Sequence, residues 1–220
     1  MGQKLQFFVA GLGRFGVSVA TTLEKMGYDV MAMDSDEEVV QDLSDTLGYV
    51  VCADCSDEKN LVAIGAGNAD IAVVSVGELS ASLMTTLLLK EMGVKKIVVK
   101  ALNQIHGKML QKIGADKIIY SEKEMGVRVA HNLISPGIVD YIEMENNITI
   151  LSIHVPKDWI GKTLIGSDVR RKYNITVVAI KREGEMFVNP RPDMQMNAND
   201  MLVILGDSES VKRVTATLEQ

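Results

Sequence analysis

From residue 5 to about residue 140, short apolar runs alternate with amphipathic stretches at helical spacing. Leu5-Gln6-Phe7-Phe8-Val9-Ala10 predicts a buried strand, with a helix over residues 13–26 behind it. Further strands are predicted over 28–33, 49–52, 70–76, 96–100 and 117–120, with helices over 36–47, 58–64, 80–92 and 104–113 between them. The run at 70–76 is almost wholly apolar, as befits a parallel strand covered on both faces. Six strand–helix alternations predict an α/β fold, a Rossmann-like doubly wound parallel sheet with right-handed crossovers.

The pattern changes after a sixth helix over residues 122–133. Ser135-Pro136-Gly137 breaks the helix, and 138–144 reads as a crossover into something new. Strands are then predicted over 149–155, 176–182, 186–189 and 201–205, and Glu183-Gly184 supplies a tight hairpin turn. The expected division is a nucleotide-binding domain over 1–134, a linker over 135–146 and a small α+β module over 147–220.

Composition narrows the function. The 220 residues carry 23 Lys+Arg against 29 Asp+Glu, a net charge of −6, with no basic stripe, so nucleic acid is not an expected partner. Residues 1–140 hold 13 cationic and 18 acidic side chains, residues 141–220 10 and 11, so the acidity belongs to the first domain. No stretch approaches the roughly 20 apolar residues of a membrane span, and a cytoplasmic location is expected. Cys52 and Cys55 form a C-x-x-C with no further ligands at zinc spacing; small buried side chains are the expected reading.

Gly11-Leu12-Gly13-Arg14-Phe15-Gly16 lies between the first strand and the first helix. In such a turn Gly11 permits the bend, Gly13 lets a pyrophosphate approach the backbone, and Gly16 lets helix and strand pack closely. The helix N-terminus offers free N–H groups and partial positive charge to phosphates, and Arg14 in its first turn is well placed only if an anion is bound. Asp34, 23 residues beyond Gly11, ends the second strand, where a carboxylate accepts both ribose hydroxyls and repels a 2′-phosphate. NAD or an adenosine phosphate is therefore expected rather than NADP. Asp54 and Cys55 after the third strand and Ser75-Val76-Gly77 after the fourth fall on the same edge, although Asp54 equally suits a cap for the helix near Asp57. A catalytic acid–base constellation is missing from the pattern, and no enzyme activity is expected. A sensor fits better.

The glycine turn, Asp34, the helix Thr85-Thr86-Leu87-Leu88-Leu89-Lys90-Glu91, the turn Lys112-Ile113-Gly114-Ala115-Asp116 and Glu122-Lys123-Glu124-Met125-Gly126 together resemble the RCK (KTN) family of bacterial potassium-uptake regulators. The resemblance covers the whole chain, with an RCK C-terminal module from about residue 145. It implies an octameric ring of dimers, peripheral at the inner face of the cell membrane, docked on a KtrB/TrkH-like potassium-translocating subunit. ATP and ADP, or NADH and NAD, would favour different ring shapes. It implies that Arg14 meets the terminal phosphates and that Asp34, with Ser35 and Asp36, holds the ribose. Asp54 and Cys55 would lie at the adenine side, Val76, Gly77 and Glu78 in the loop after the fourth strand, Lys100, Ala101 and Leu102 after the fifth, and His106 at the ligand; as a lone histidine it reads as a ligand contact or a capping group rather than a base. Glu122 would stand near the phosphates, where a Mg or Ca ion bridges it to ATP; a helix-capping acid is the other reading. In the C-terminal module the resemblance implies a cyclic di-AMP cleft lined by Asp168, Arg170, Ile175, Pro190 and Arg191, or else plain surface arginines. An NAD-dependent oxidoreductase and a free-standing nucleotide sensor remain the competing functions.

Overall fold

In the computed structural model, which describes residues 4–134, 138–216 and 218, the chain divides into two units, Met1–Ser121 and Glu122–Gln220. The first runs β1 (Gln6–Ala10), α1 (Arg14–Lys25), β2 (Asp29–Asp34), α2 (Glu37–Leu43), β3 (Tyr49–Cys52), α3 (Glu58–Ile64), β4 (Ile71–Val74), α4 (Leu79–Glu91), β5 (Lys96–Lys100), α5 (Gln104–Ile113) and β6 (Lys117–Ile119). Its six strands pair in the order β3-β2-β1-β4-β5-β6, all parallel, so the doubly wound prediction holds. Strand order reverses between β1 and β4, which is where such sheets bind ligands.

The residues of β1 show why the sheet is buried on both sides. Phe8 and Ala10 enter a core with Leu61, Leu89 and Leu110, while Phe7 and Val9 enter another with Ala20 and Val30. Two-residue periodicity sends neighbours to opposite faces, and both faces are covered by helices.

The second unit opens with α6 (Ser121–Ile134 by hydrogen bonding), followed by β7 (Ile138–Glu143), β8 (Ile148–His154), α7 (Leu164–Ser167), α8 (Val169–Tyr173), β9 (Thr176–Arg182), β10 (Glu185–Val188), β11 (Met201–Asp207) and α9 (Ser208–Thr215). Its sheet has the order β10-β9-β11-β8-β7, antiparallel throughout. The Glu183-Gly184 hairpin is present, with φ of 51° and 89°, the left-handed pair that a two-residue turn needs. Leu151, Ile153, Ile180, Leu202 and Ile204 fill one core with Trp159 and Val211.

Two expectations are corrected here. Residues 138–144, read as a crossover, form the edge strand β7, because Ile138 and Tyr141 pack on the core while Val139 and Ile142 face outward. The division falls before α6 rather than after residue 134. Arg128 ties that helix to β7 through two hydrogen bonds of 2.6 Å to Asp140. The helix-breaking Ser135-Pro136-Gly137 lies outside the described residues. Helices α7, α8 and α9 carried no expectation: the first two are shorter than two helical turns and are parted by Asp168 at φ 52°. Among the described residues, no helix is long and apolar enough to cross a membrane.

Candidate functional site

The carboxyl edge of the parallel sheet gathers the loops after β1, β2, β3, β4 and β5. Gly11 has φ +86°, and a Cβ there would lie 2.9 Å from the backbone of Ser75 and Val76. A Cβ on Gly16 would fall on the Gly11 carbonyl oxygen. The Ser75 hydroxyl donates to that carbonyl at 2.7 Å and braces the turn from β4. Around Gly13, in contrast, nothing lies within 4 Å of where a Cβ would stand.

The opening at Gly13 leads to the N-terminus of α1, which has no side-chain cap and no acid in its first turn. The other α-helices of this unit are capped: α2 by Asp36, α3 by Asp57, α4 by Glu78 and α5 by Asn103. Uncapped N–H groups at an exposed helix start are unmet donors that suit a phosphate. Arg14 is exposed in this turn and makes no ion pair among the described residues.

Asp34 closes the site from β2. Its Oδ2 accepts the Leu12 amide at 2.5 Å and its Oδ1 the Asp36 amide at 3.0 Å, so it fixes the glycine turn and the start of the next loop together. Each oxygen keeps a second lone pair for a ribose hydroxyl. Ser35 is exposed, and its carbonyl accepts the Cys52 thiol at 3.6 Å. Asp36 is spoken for by the amides of Glu38 and Val39 as the cap of α2.

Further along the edge the expected residues separate into exposed and buried ones. Asp54 caps no helix; it accepts the Ser56 amide at 2.8 Å and hydroxyl at 2.7 Å, and those bonds hold its carboxyl below the usual range. Cys55 is buried, and burial pushes its thiol pKa up, whereas Cys52 is exposed, against the expectation of two buried side chains. Val76 is half-buried and Gly77 open. Bonds from Ser80 and Ala81 lower Glu78 to about 2, so it stays a helix-capping carboxylate. Lys100 is half-buried and Leu102 is 46% exposed, but Ala101 and His106 are buried. With no exposed surface, His106 does not line this cleft as a contact. Glu122 is exposed in the first turn of α6, in the second unit.

The second unit holds a cavity of about 320 Å³ between α7, α8, β9 and the 190–192 loop. Asp168, Arg170, Ile175 and Pro190 all line it, with Ile165 and Thr176, which carried no expectation. Ile175, 1% exposed, is its floor, and Arg170 reaches Thr176 Oγ1 at 3.5 Å. Arg191 does not line this cavity. It faces a neighbouring one of about 470 Å³ and pairs with Asp193 at 3.3 Å, because the chain turns at Asn189, φ 52°.

Two family models match this chain: one described as the TrkA-N domain over residues 7–121, the other as the TrkA-C domain over 148–219. The chain belongs to the TrkA family. The RCK (KTN) resemblance is thereby borne out, and the TrkA-N match ends where the first structural unit ends. The chain is 41% identical over 211 residues to the Ktr system potassium uptake protein C of Bacillus subtilis strain 168, with 96% of each chain covered. It is 39% identical over 209 residues to the Ktr system potassium uptake protein A of the same organism, with 94% of each covered. Among solved structures, the GsuK channel bound to NAD matches with a TM-score of 0.54 at 22% identity, over 99% of this chain and 39% of that one; this likeness concerns the fold.

In the TrkA-N domain the structure thus brings together Gly11, Gly13, Arg14, Asp34 and Ser35 at one opening. Leu12, Phe15 and Gly16 support it from below. Ser75 was expected on this edge; what the sequence did not show is that its hydroxyl reaches back to brace the glycine turn. In the TrkA-C domain the cavity keeps four of the five expected residues. Among the described residues no three His, Cys, Asp or Glu side chains converge as a metal site, so a cation at Glu122 needs donors from outside that set.

Proposed function

We propose that this TrkA-family chain is a nucleotide-binding regulatory subunit of a potassium uptake system. The potassium role is supported by the two relatives, which are potassium uptake proteins along nearly their whole length. The nucleotide role is supported above all by one observation: an uncapped helix start under an open Gly13, beside a carboxylate that already fixes the turn. A nucleoside diphosphate fits that arrangement.

In this reading Asp34 takes the ribose hydroxyls, the α1 amides take the diphosphate, and Arg14 reaches the terminal phosphate. ATP brings one more charged phosphate than ADP. Arg14 then makes a contact with ATP that ADP does not receive, a Mg or Ca ion held at Glu122 would add positive charge toward the same phosphates, and such differential contact is what shifts a conformational equilibrium. A tenfold preference needs about 1.4 kcal/mol, within reach of one charge-assisted bond. The states being shifted are those of an octameric ring docked on a membrane-embedded KtrB/TrkH-like subunit, which holds the chain at the inner face of the membrane. The TrkA-C cavity is the place for cyclic di-AMP, with Arg170 toward a phosphate and Ile175 and Pro190 toward a base.

The test is calorimetric titration of the purified chain with ATP, ADP, NAD, NADH and cyclic di-AMP, with oligomer size measured in parallel and co-purification with a potassium-translocating membrane subunit. Binding of an adenosine diphosphate ligand with a change in assembly supports the reading. Hydride transfer to a small substrate at the nicotinamide absorbance band, with no assembly change, would replace it by an oxidoreductase.

A further inference from the structure

His106 has no exposed surface, yet it sits one turn behind a loop of the nucleotide-binding edge. Its Nδ1 accepts the Leu102 amide at 3.2 Å, while its own amide donates to Asn103 Oδ1 at 2.9 Å. The reciprocal bonds form a capping box in which an imidazole replaces the usual acid and reaches one residue further back. Because Leu102 supplies the hydrogen, Nδ1 is unprotonated and the proton of the neutral ring is on Nε2. That Nε2–H has no partner among the described residues and lies away from solvent. A buried glutamate would make the same cap at a large desolvation cost, which a neutral ring avoids.

The helix start that carries the ring is closely packed. A Cβ on Gly107 would fall on the Tyr120 hydroxyl, so the first turn of α5 is pressed against the end of β6. The Ala101 amide donates to Ile119 at 2.9 Å, anchoring the loop to the same strand. What the loop presents outward is Leu102, not the histidine.

We propose that His106 is the positioning residue of the β5–α5 loop, a neutral imidazole whose Nδ1 holds the Leu102 amide and so shapes the half of the nucleotide site beyond the switch point. This rests on the nucleotide reading above. The adenosine half, at the glycine turn and Asp34, does not depend on it.

The experiment compares wild type, H106L and H106N with AMP, which reaches the adenosine half alone, and NAD, which spans both halves. H106L should weaken NAD about tenfold and AMP less than about twofold, and H106N, whose Oδ1 replaces Nδ1 as acceptor, should bring NAD back within about threefold. Nitrogen-15 spectra of the wild type should show a neutral ring with a bare Nδ1 and a protonated Nε2. Equal losses for AMP and NAD, no recovery in H106N, or a protonated Nδ1 overturns the proposal. If wild type binds neither AMP nor NAD, the nucleotide reading fails, and hydrogen exchange at the Leu102 amide decides the His106 assignment: slow in wild type and H106N and fast in H106L if it holds, equal in all three if it does not.

Discussion

In β1 of the first sheet, Phe7 and Val9 enter one core and Phe8 and Ala10 another; in β8 of the second, Leu151 and Ile153 enter a single core while Ser152 and His154 do not. A sheet covered on both faces has only its ends free, so its ligand chemistry is confined to the carboxyl edge. Backbone amides, a glycine turn and a helix start do most of the recognition there. A sheet buried on one face leaves room for short helices and loops to fold over it, and side chains line a cavity. The TrkA-N site is therefore sensitive to added atoms and the TrkA-C unit to lost partners.

The largest expected effect is in the C-terminal unit. Asp200 is fully buried, accepts Arg182 at 2.8 and 2.7 Å and also takes the Asn197 amide. Removing it in Asp200→Ala should cost about 4 kcal/mol, seen as a lower melting transition of that unit with the N-terminal one unchanged. Gly16→Ala should do the converse, destabilising the N-terminal unit by about 3 kcal/mol through overlap with Gly11 and abolishing nucleotide binding. If both substitutions moved both transitions alike, the contrast between the units would be lost.

Two substitutions at the opening sharpen the comparison. Asp34→Ala should weaken ATP, ADP and NAD alike by about tenfold, since it removes the ribose acceptor and the brace on Leu12. Arg14→Ala should weaken ATP about tenfold more than ADP. Equal losses for the two nucleotides would remove Arg14 from the terminal phosphate. On the proposed assignment of the TrkA-C cavity, neither change should alter cyclic di-AMP binding.

Acid gives the gentlest comparison. Burial lowers the pKa of His106 from 6.5, so the unfolded chain takes up that proton first; the stability it confers is present above about 6.5 and is lost as pH falls through the lower folded value. In the C-terminal unit, Asp200 beside Arg182, Asp140 beside Arg128 and Asp207 beside Ser210 are held below the usual carboxylate range. Their contribution is present above the ordinary carboxylate pKa and is lost only at lower pH. Melting followed unit by unit from pH 7 to pH 4 should show the N-terminal unit weakening first.

The fold was legible where periodicity ran long enough. β1, α1 and the glycine turn were readable because strand, turn and helix agree locally, and the Glu183-Gly184 turn because two left-handed residues favour few sequences. What stayed hidden depends on distance along the chain. Nothing in Arg128 and Asp140 announces that they join α6 to β7, nor in Ser75 that its hydroxyl crosses 64 residues to Gly11. His106 was expected at the ligand, but helices packing over the sheet bury it. Arg191 lies one cavity away because the turn at Asn189 redirects a side chain that the family resemblance put in the same cleft as Pro190.

The central claim is that an adenosine diphosphate moiety binds at the carboxyl edge of the TrkA-N sheet. Hydrogen exchange with and without ADP tests it most directly. The account predicts slower exchange at the amides of residues 12–17 and 34–37, with residues 164–177 of the TrkA-C cavity unchanged. Protection confined to residues 164–177, or none at residues 12–17 under saturating ADP, would contradict it.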